Sequence, residues 1–421
     1  MHILFLTDNF PPEVNAPASR TFEHCREWVN AGHRVTVITG APNFPQGKVY
    51  TGYSNRICQR ERMEGIEVLR VWTYITANEG FLRRILDYTS YMIAAIFAAP
   101  FVGKPNIVVG TSPQFFTACA AWAIATMKHV PFVFELRDLW PESIKAVGAM
   151  RDSAAIRFFE AVEMFLYRRA AAIVSVTQSF RRKLMERGVN ADRIHVVTNG
   201  VDLSRFNPRP KDPELETMLG LEGKFVAGYI GTHGMAHALE TILDAAEEIR
   251  RLPGGDAFRF ILLGNGARKQ ELRRRAEEMK LDNVLFLDSV GKEDVTRYWS
   301  LLDVSIIHLK KSPLFETVIP SKLFECMGMG IPILHGVAGE SAEIVRAEQV
   351  GIVFEPENVR ELVAGLTRLK EEPDTKQHLG RNALAAAPRY DRRRLALEML
   401  QILVTTISSH QAAKRQPHPR R

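Results

Sequence analysis

The sequence has 421 residues and a net charge of +7, a length that predicts two or three domains with sizeable hydrophobic cores. Four cysteines without CxxC spacing argue against a zinc ribbon or a disulfide framework and fit a reducing cytosol, so we expect a cytoplasmic protein. The basic residues are dispersed and not interleaved with aromatic residues, which argues against nucleic acid as a partner. An anionic membrane surface or phosphorylated substrates remain as explanations of the positive charge.

Apolar runs alternate with helical patterns along the first half of the chain. The predicted strands are residues 2–7, 34–39, 67–72, 106–110, 131–135, 172–176 and 195–198. The clearest helices between them are predicted at residues 18–31, 114–127 and 153–170. This alternation predicts a parallel sheet with helices on both faces, whose ligand sites lie at the carboxyl ends of the strands.

The same alternation restarts in the second half. The predicted strands are residues 224–230, 259–263, 283–287, 304–308, 332–334 and 351–354, and the first helices are residues 238–250 and 267–279. A linker is predicted at residues 206–224, which are rich in proline and acidic residues. We therefore predict an α/β protein with two Rossmann-like, doubly wound domains at residues 1–205 and 206–388. A helix at residues 389–408 follows and is predicted to pack back on the N-terminal domain, and the basic residues 409–421 are predicted to be a disordered tail.

The most informative stretch surrounds the sequence IPSKLFECMGMGIPI. Pro320 suits the first position of a helix, so the next backbone N–H groups are predicted to be unpaired and to point toward an anion. Lys322 adds a positive charge there, and Glu325 places a carboxylate about one turn further along, where it can accept hydrogen bonds from a sugar diol. These features predict a nucleotide-sugar pocket. Its donor-binding residues in this stretch are Ile319, Pro320, Ser321, Lys322, Leu323 and Glu325.

Glycine turns end the first two predicted strands of the second half. Glycine lets the chain turn sharply and lets a ligand approach the backbone, although plain tight turns remain the alternative. The second turn resembles the start of GxGxxG, but a lysine stands where the third glycine belongs, so it is weak as a dinucleotide fingerprint. The predicted donor-binding residues of these turns and the next loop are Gly231, Thr232, His233, Gly264, Asn265, Gly266, Lys269 and Val290.

Two loops at strand ends in the first half carry candidate acceptor residues. Residues 9–20, NFPPEVNAPASR, follow the first strand, and residues 134–142 follow a later one. The predicted acceptor-binding residues are Asn15, Ala16, Arg20 and Arg137, and Asp138 is a candidate acid–base group beside the reacting sugar. The alternatives are a structural crossover loop for the first segment and a helix cap or ion pair for Asp138.

The segment FLRRIL, which runs from Phe81 to Leu86, combines two arginines with large apolar residues. It predicts either an interfacial helix that lies on a membrane or a core helix with exposed arginines. The nearby apolar run at residues 91–102 is too short to span a bilayer. No His, Asp and Glu residues have the spacing of metal ligands, so no metal site is predicted.

These motifs together resemble the retaining glycosyltransferases of family 4. The likeness covers about residues 1–405 and rests on the proline-rich loop, on DLWP at residues 138–141, on TNGVD at 198–202, on the GNG turn and on IPSKLFECMGMGIPI. The resemblance implies a GT-B fold, with an N-terminal acceptor domain and a C-terminal nucleotide-sugar domain facing a cleft. It is strongest toward enzymes of bacterial capsule, O-antigen and exopolysaccharide assembly, including N-acetylfucosamine transferases.

The resemblance implies transfer of a sugar from a nucleotide diphosphate, with UDP favoured, to a glycan or lipid-linked acceptor, with retention and without a metal or other cofactor. The family's paired glutamates have seven residues between them; Glu325 matches the second, whereas Thr317 occupies the first position and Glu316 is one place off. Histidines, His233 and His237, stand near the turn where the family carries an arginine and a lysine. We expect Lys322 and the helix N-terminus, with Lys269, to neutralise the diphosphate, and Lys322 and Asp138 to be the catalytic residues.

Two alternatives stay open at this point. One is a nucleotide-sugar epimerase on the same fold. The other is a non-catalytic nucleotide-binding or membrane partner subunit, which the missing first glutamate keeps possible. An NAD-dependent dehydrogenase is disfavoured, because no GxGxxG with a downstream acidic residue follows a predicted strand.

Overall fold

A computed structural model of the chain describes residues 1–44, 46–76, 81–139, 154–291 and 293–415. The chain divides into two compact units. The first comprises residues 1–198 together with the chain from residue 392, and the second comprises residues 199–391. Each unit has its own parallel sheet, as predicted.

The first unit is built on an eight-stranded sheet. Its strands are β1 (His2–Leu6), β2 (Arg34–Thr39), β3 (Cys58–Met63), β4 (Ile66–Val71), β5 (Ile107–Thr111), β6 (Phe132–Leu136), β7 (Ala172–Ser175) and β8 (Ile194–Val196). They lie in the order β3-β4-β2-β1-β5-β6-β7-β8, and only β3 is antiparallel to its neighbour. The sequence analysis missed β3, which has the polar sequence CQRERM and no buried side chain. An exposed edge strand lacks the apolar pattern that reveals the buried ones.

Helices cover both faces of this sheet. They are α1 (Ala16–Asn30), α2 (Phe81–Ala98), α3 (Phe115–Lys128), α4 (Ala154–Arg169) and α5 (Gln178–Glu186). Alternate residues of β1 enter two different hydrophobic cores, Leu4 and Leu6 on one face and Ile3 and Phe5 on the other. The sheet is therefore buried on both sides, as parallel sheets are.

The second unit has a six-stranded parallel sheet in the order β11-β10-β9-β12-β13-β14. These strands are β9 (Phe225–Ile230), β10 (Phe258–Leu263), β11 (Val284–Leu287), β12 (Val304–His308), β13 (Ile333–Gly336) and β14 (Gly351–Val353). The helices of the unit are α6 (Pro213–Met218), α7 (Glu240–Arg250), α8 (Lys269–Glu278), α9 (Val295–Trp299), α10 (Lys322–Met329), α11 (Glu340–Glu348), α12 (Val359–Glu371) and α13 (Pro373–Ala386). Two hydrophobic cores again cover the two faces.

The segment predicted as a linker, residues 206–224, lies inside the second unit. The Asp212 side chain accepts a hydrogen bond from the backbone N–H of Leu215 and so caps α6. Phe206, Leu215 and Leu221 are buried in the core of this unit. The prolines and acidic residues suggested a linker, but three buried apolar side chains fix the segment to the domain, so the units divide at residue 198 instead of 205.

The last helix, α14 (Arg392–Arg415), belongs to the first unit. The indole N–H of Trp28 donates to the carbonyl of Ala396 at 2.8 Å, and three residues of α14 are buried in the core around β1: Leu395, Met399 and Leu403. The helix continues past the predicted end at residue 408, so residues 409–415 are helical and not part of a disordered tail. Residues 416–421 lie outside the described part of the chain. None of the described helices is long and apolar enough to cross a membrane.

Candidate active site

Two glycine turns lie side by side at the carboxyl edge of the second sheet. Ile230 of β9 pairs with Leu263 of β10, so the turns that follow leave the sheet together. A Cβ on Gly264 would lie 1.9 Å from the carbonyl oxygen of Gly231, and one on Gly266 would lie 2.4 Å from the carbonyl oxygen of His233. Both glycines also have φ values, 148° and 159°, that side chains disfavour. The predicted donor glycines at 264 and 266 therefore serve the packing of one turn against the other.

The third glycine, Gly231, lies against a lysine instead. Its Cβ position is 2.5 Å from the Nζ atom of Lys322. This ammonium lies over the ring of Tyr229, 3.7 Å from the ring centroid, and makes no hydrogen bond or ion pair with another described residue. Burial lowers the pKa of Lys322 to about 8, while the nearby Glu325 carboxylate opposes the shift. The carboxyl end of β9 thus holds a positive charge that lies against an aromatic face and that the Glu325 carboxylate stabilises without a direct ion pair.

Tyr229 is the part of this arrangement that the sequence analysis missed. Its side chain is fully buried, and its hydroxyl donates to the carbonyl oxygen of Thr232 at 2.8 Å. The tyrosine lies two residues before Gly231 but far from Lys322 along the chain, so no local pattern links the two. The start of α10, which lies against the carboxyl end of β9, brings them together.

Helix α10 begins beside this lysine. Ser321 is its N-cap residue, so Pro320 precedes the helix and does not open it as predicted. The backbone N–H of Leu323 donates to the carbonyl of Pro320 at 3.0 Å, which removes one of the three predicted anion donors. Among the residues that the structure describes, the backbone N–H groups of Ser321 and Lys322 make no hydrogen bond. The start of α10 therefore carries two backbone N–H groups without a hydrogen bond, together with the residue that bears the ammonium.

Two histidines flank the same corner. His233 is fully buried, and neither ring nitrogen has a hydrogen-bond partner. Burial lowers the pKa of His233 to about 4, and the charges of Lys269 and Lys322 add to the shift. Burial also lowers the pKa of His237 to about 4, with Lys322 contributing, and its ring meets that of Tyr229 edge-on at 5.8 Å. Both rings are neutral near pH 7, so the positive charge beside them comes from Lys322 and Lys269 and not from the histidines.

Lys269, predicted to approach the phosphates, donates to four protein acceptors in this structure. Its ammonium donates to the carbonyls of Gly264 and Leu287, to Oδ1 of Asn265 and to Oδ1 of Asp288, at 2.7 to 3.1 Å. Four protein acceptors use all the protons of the ammonium, and the side chain is buried. The donor-binding role of Lys269 stays a prediction, and the sequence did not show that the ends of β10 and β11 converge on this side chain. Asn265 is likewise a partner of this lysine.

The remaining predicted donor residues lie in the same unit. Glu325 is half-buried in the first turn of α10, and Ile319 is buried in the core. Val290 follows β11 and packs against that core. Thr317, at the position of the family's first glutamate, donates through its hydroxyl to the carbonyl of Leu314 at 3.0 Å.

Glu316, its neighbour, has an exposed side chain. Its carbonyl oxygen lies 2.0 Å from the position that a Cβ on Gly339 would occupy, and Gly339 has a φ of 78°. The short turn that carries Glu316 is therefore held tightly against the residue that caps α11.

Arg20 of the first unit is a buried structural residue and not a free acceptor ligand. Its Nε donates to Oε1 of Glu135 at 3.0 Å, and its two terminal nitrogens donate to the carbonyls of Thr198 and Val197. The guanidinium thus joins α1 to β6 and to the chain after β8. The acceptor role of Arg20 stays a prediction, and the sequence alone could not show that Glu135 faces this guanidinium.

Asn15 and Ala16 begin α1. The Asn15 side chain accepts from the backbone N–H of Ala18 at 2.8 Å and donates to Oδ1 of Asn9 at 2.6 Å, so it caps the helix and fixes the loop before it. Ala16 is exposed as the first residue of the helix. The proline-rich loop is held at its other end by Glu13, which is buried and accepts from the backbone N–H groups of Asn43 and Phe44.

Arg137 and Asp138 follow β6 at the carboxyl edge of the first sheet. Their backbone N–H groups both donate to the hydroxyl of Ser112, at 2.7 and 3.1 Å. The Arg137 guanidinium donates to the carbonyl of Pro17, and burial lowers its pKa to about 10. Both side chains are half-buried at the edge where ligand sites form. The rest of the DLWP motif, from residue 140, lies outside the described residues.

The comparisons with known proteins agree with this architecture. The family model described as "Glycosyl transferase 4-like domain" matches residues 15–200, and the model "Glycosyl transferases group 1" matches residues 214–385. The chain is 26% identical over 380 residues to the protein named "Putative colanic acid biosynthesis glycosyl transferase WcaI" of Escherichia coli (strain K12), a match that covers 87% of this chain and 91% of that protein.

Solved structures show the same fold at low identity. The sucrose-phosphate synthase of Thermosynechococcus elongatus matches with a TM-score of 0.76 and 14% identity, over 97% of this chain and 99% of that one. HepE of Anabaena, in complex with UDP, matches with a TM-score of 0.70 and 17% identity, over 96% of this chain and 100% of that one. The chain therefore carries, in succession, the two domains that these family models describe, and it is a glycosyltransferase with the GT-B fold.

Proposed function

We propose that the protein transfers a sugar from a UDP-linked donor to a glycan or lipid-linked acceptor during the assembly of a bacterial surface polysaccharide, with the anomeric configuration retained. The colanic acid relative supports the pathway class, and the UDP complex of HepE supports the nucleotide. The resemblance to N-acetylfucosamine transferases favours an N-acetylated hexosamine or deoxyhexosamine as the sugar. The reaction would take place in the cytoplasm, at the inner face of the membrane.

The observation that carries this proposal is the ammonium of Lys322. It lies at the carboxyl end of β9, beside two unpaired N–H groups of α10 and over an aromatic ring. A diphosphate placed there would receive charge-assisted hydrogen bonds. Its negative charge would also raise the lowered pKa of Lys322 and hold the lysine in its cationic form.

In the proposed reaction, the bond between the anomeric carbon and the diphosphate oxygen breaks while the acceptor oxygen forms a bond to the same face of that carbon. The proton of the acceptor hydroxyl passes to an oxygen of the departing β-phosphate. Lys322 and the N–H groups at residues 321 and 322 stabilise the charge that develops on the leaving group. Preorganised donors of this kind need no reorganisation during the step.

The other residues have supporting roles in this proposal. Glu325 accepts hydrogen bonds from the ribose diol of the nucleotide. Asn15, Ala16 and Arg137 line the acceptor side in the first unit, where Asp138 stands near the reacting hydroxyl. We propose that the chemistry proceeds without a metal ion, with the charge neutralised by the lysine and the helix N-terminus.

Incubation of the purified protein with UDP-N-acetylhexosamines and a membrane extract tests the proposal, with released UDP and labelled glycolipid as readouts. We expect UDP release to depend on the acceptor and on Lys322. Turnover of the nucleotide-sugar without any acceptor would identify an epimerase instead. A protein that binds no nucleotide diphosphate in a thermal-shift assay would be a non-catalytic partner.

A further inference from the structure

Helix α2 presents a row of large apolar side chains to solvent, which we call the apolar stripe. It consists of Leu86, Ile93 and Phe97 of α2 and Phe101 of the short turn that follows, and these side chains are 57%, 47%, 75% and 64% exposed. Their spacing of seven, four and four residues places them on one side of the helix. The opposite side packs into the core of the first unit through Tyr91, Ala95 and Ala98.

The stripe is about 22 Å long at the rise of an α-helix. Single exposed apolar residues are common on protein surfaces, but several on one face of a helix mark an interaction site. The sequence analysis placed the membrane segment at residues 81–86. Among the described side chains, the exposed large apolar residues of this region run from Leu86 to Phe101.

Cationic side chains lie at both ends of the apolar stripe. Arg83 and Arg84 are exposed at its start. At its far end, a guanidinium nitrogen of Arg60 donates to the carbonyl of Phe101 at 2.7 Å, and the ammonium of Lys128 donates to the carbonyl of Val102 at 3.1 Å. Lys104 is exposed nearby. Within the described ranges, none of these five cations forms an ion pair with a carboxylate.

The sequence of α2 contains a single acidic residue, Asp87. Burial raises its pKa to about 7, so it carries only part of a negative charge at neutral pH. The surface around the stripe is therefore apolar along its length and positive at its ends. This charge pattern complements anionic phosphate headgroups that surround an apolar interior.

We propose that the apolar stripe docks this protein onto the anionic surface of a lipid bilayer. The four apolar side chains enter the boundary between headgroups and acyl chains, and the cations at each end contact lipid phosphates. A second copy of the chain fits the stripe poorly. Because both ends are positive, pairing two stripes in either direction brings cations against cations.

Vesicle flotation tests this docking. The wild-type protein is mixed with vesicles of phosphatidylcholine and phosphatidylglycerol, and separately with vesicles of phosphatidylcholine alone. The variant Ile93→Ser/Phe97→Ser removes the centre of the stripe, and Arg83→Gln/Arg84→Gln removes charge at one end. Met218→Ser/Leu252→Ser is the matched control, because it replaces exposed apolar residues of the second unit.

We expect the wild type to bind the anionic vesicles and the stripe variant to bind them at least tenfold more weakly. Each arginine removed should weaken binding about fivefold on anionic vesicles and have little effect on neutral ones. The control should bind like the wild type. The UDP-induced thermal shift should be the same for all variants, so a failed donor site and a failed docking surface are distinguishable.

Equal flotation of the wild type and the stripe variant would overturn the proposal, as would a wild type that does not bind anionic vesicles. Sedimentation equilibrium tests whether a second copy of the chain binds the apolar stripe instead of a membrane. A dimer that the Ile93→Ser/Phe97→Ser change dissociates would show that the stripe pairs with a second copy, and this result would also overturn membrane docking.

Discussion

Replacing Lys322 by alanine perturbs the central feature of the site. The change removes an ammonium that lies 3.7 Å from the centroid of the Tyr229 ring and against Gly231. It leaves the two N–H donors at the start of α10 in place. The variant therefore separates the contribution of the charge from that of the helix N-terminus.

The expected loss follows from the charge that the diphosphate gains as it leaves. Two unit charges about 4 Å apart interact by about 4 kcal/mol at an effective dielectric constant near 20. Loss of one preorganised donor to a developing anion lowers kcat by roughly 10²–10³. We expect the Lys322→Ala variant to lose this factor in kcat while its fold is unchanged.

Removing the Lys322 charge should increase the thermal stability of the protein, although it lowers kcat. Because the pKa of Lys322 is lowered in the folded protein, burial of its charge opposes folding below pH 8, and this cost fades as the pH rises toward 10.5. Lys322→Met should therefore unfold at a slightly higher temperature than the wild type at pH 7, without ligand. Initial rates of UDP release, with and without acceptor, give kcat for each variant. A kcat within threefold of the wild type for Lys322→Ala would refute the assigned role.

Three further predictions concern other parts of the account. Glu325→Gln should weaken UDP binding roughly 10–100-fold, as expected for loss of a hydrogen bond to a charged group. In calorimetry, 2′-deoxy-UDP should bind the wild type with a similar loss of affinity, and it should bind the variant no more weakly than UDP does. If removing the 2′-hydroxyl weakens binding equally in the wild type and in the variant, the contact between Glu325 and the diol is excluded. Lys322 loses its proton as the pH rises through about 8, so the UDP affinity of the wild type should fall about tenfold between pH 7 and 9.5. The Lys322→Arg variant should bind UDP equally at both pH values. A wild-type affinity that does not change with pH would contradict a contact between the lysine and UDP. Arg20→Met should lower the free energy of unfolding by about 3–5 kcal/mol, because it removes the guanidinium that pairs with the buried Glu135 carboxylate. Urea denaturation measures this loss, and an unchanged midpoint would contradict the structural role of Arg20.

The sequence predicted the fold well because buried parallel strands carry continuous apolar runs. All seven parallel strands of the first sheet were predicted, and only the polar edge strand at residues 58–63 was missed. The glycine turns that end β9 and β10 were also predicted at the carboxyl edge of the second sheet, where ligand sites of such sheets lie. The helix that begins at Lys322 was found within two residues of its observed start.

The partners of individual charged side chains were not predictable. Arg20 and Lys269 both lie at functional edges, yet the structure commits them to protein acceptors that are distant in the sequence or in a neighbouring strand. The support of Lys322 by Tyr229 was missed for the same reason. Spacing along the chain reveals which residues share an element, whereas register between strands decides which side chains meet.

The most direct test of the account is a crystal structure of the protein with UDP. We expect the β-phosphate to lie about 3 Å from the Nζ atom of Lys322, with its oxygens accepting from the backbone N–H groups of Ser321 and Lys322. The ribose diol should face Glu325. A UDP molecule bound elsewhere, with the lysine still lying on the ring of Tyr229, would contradict the central claim.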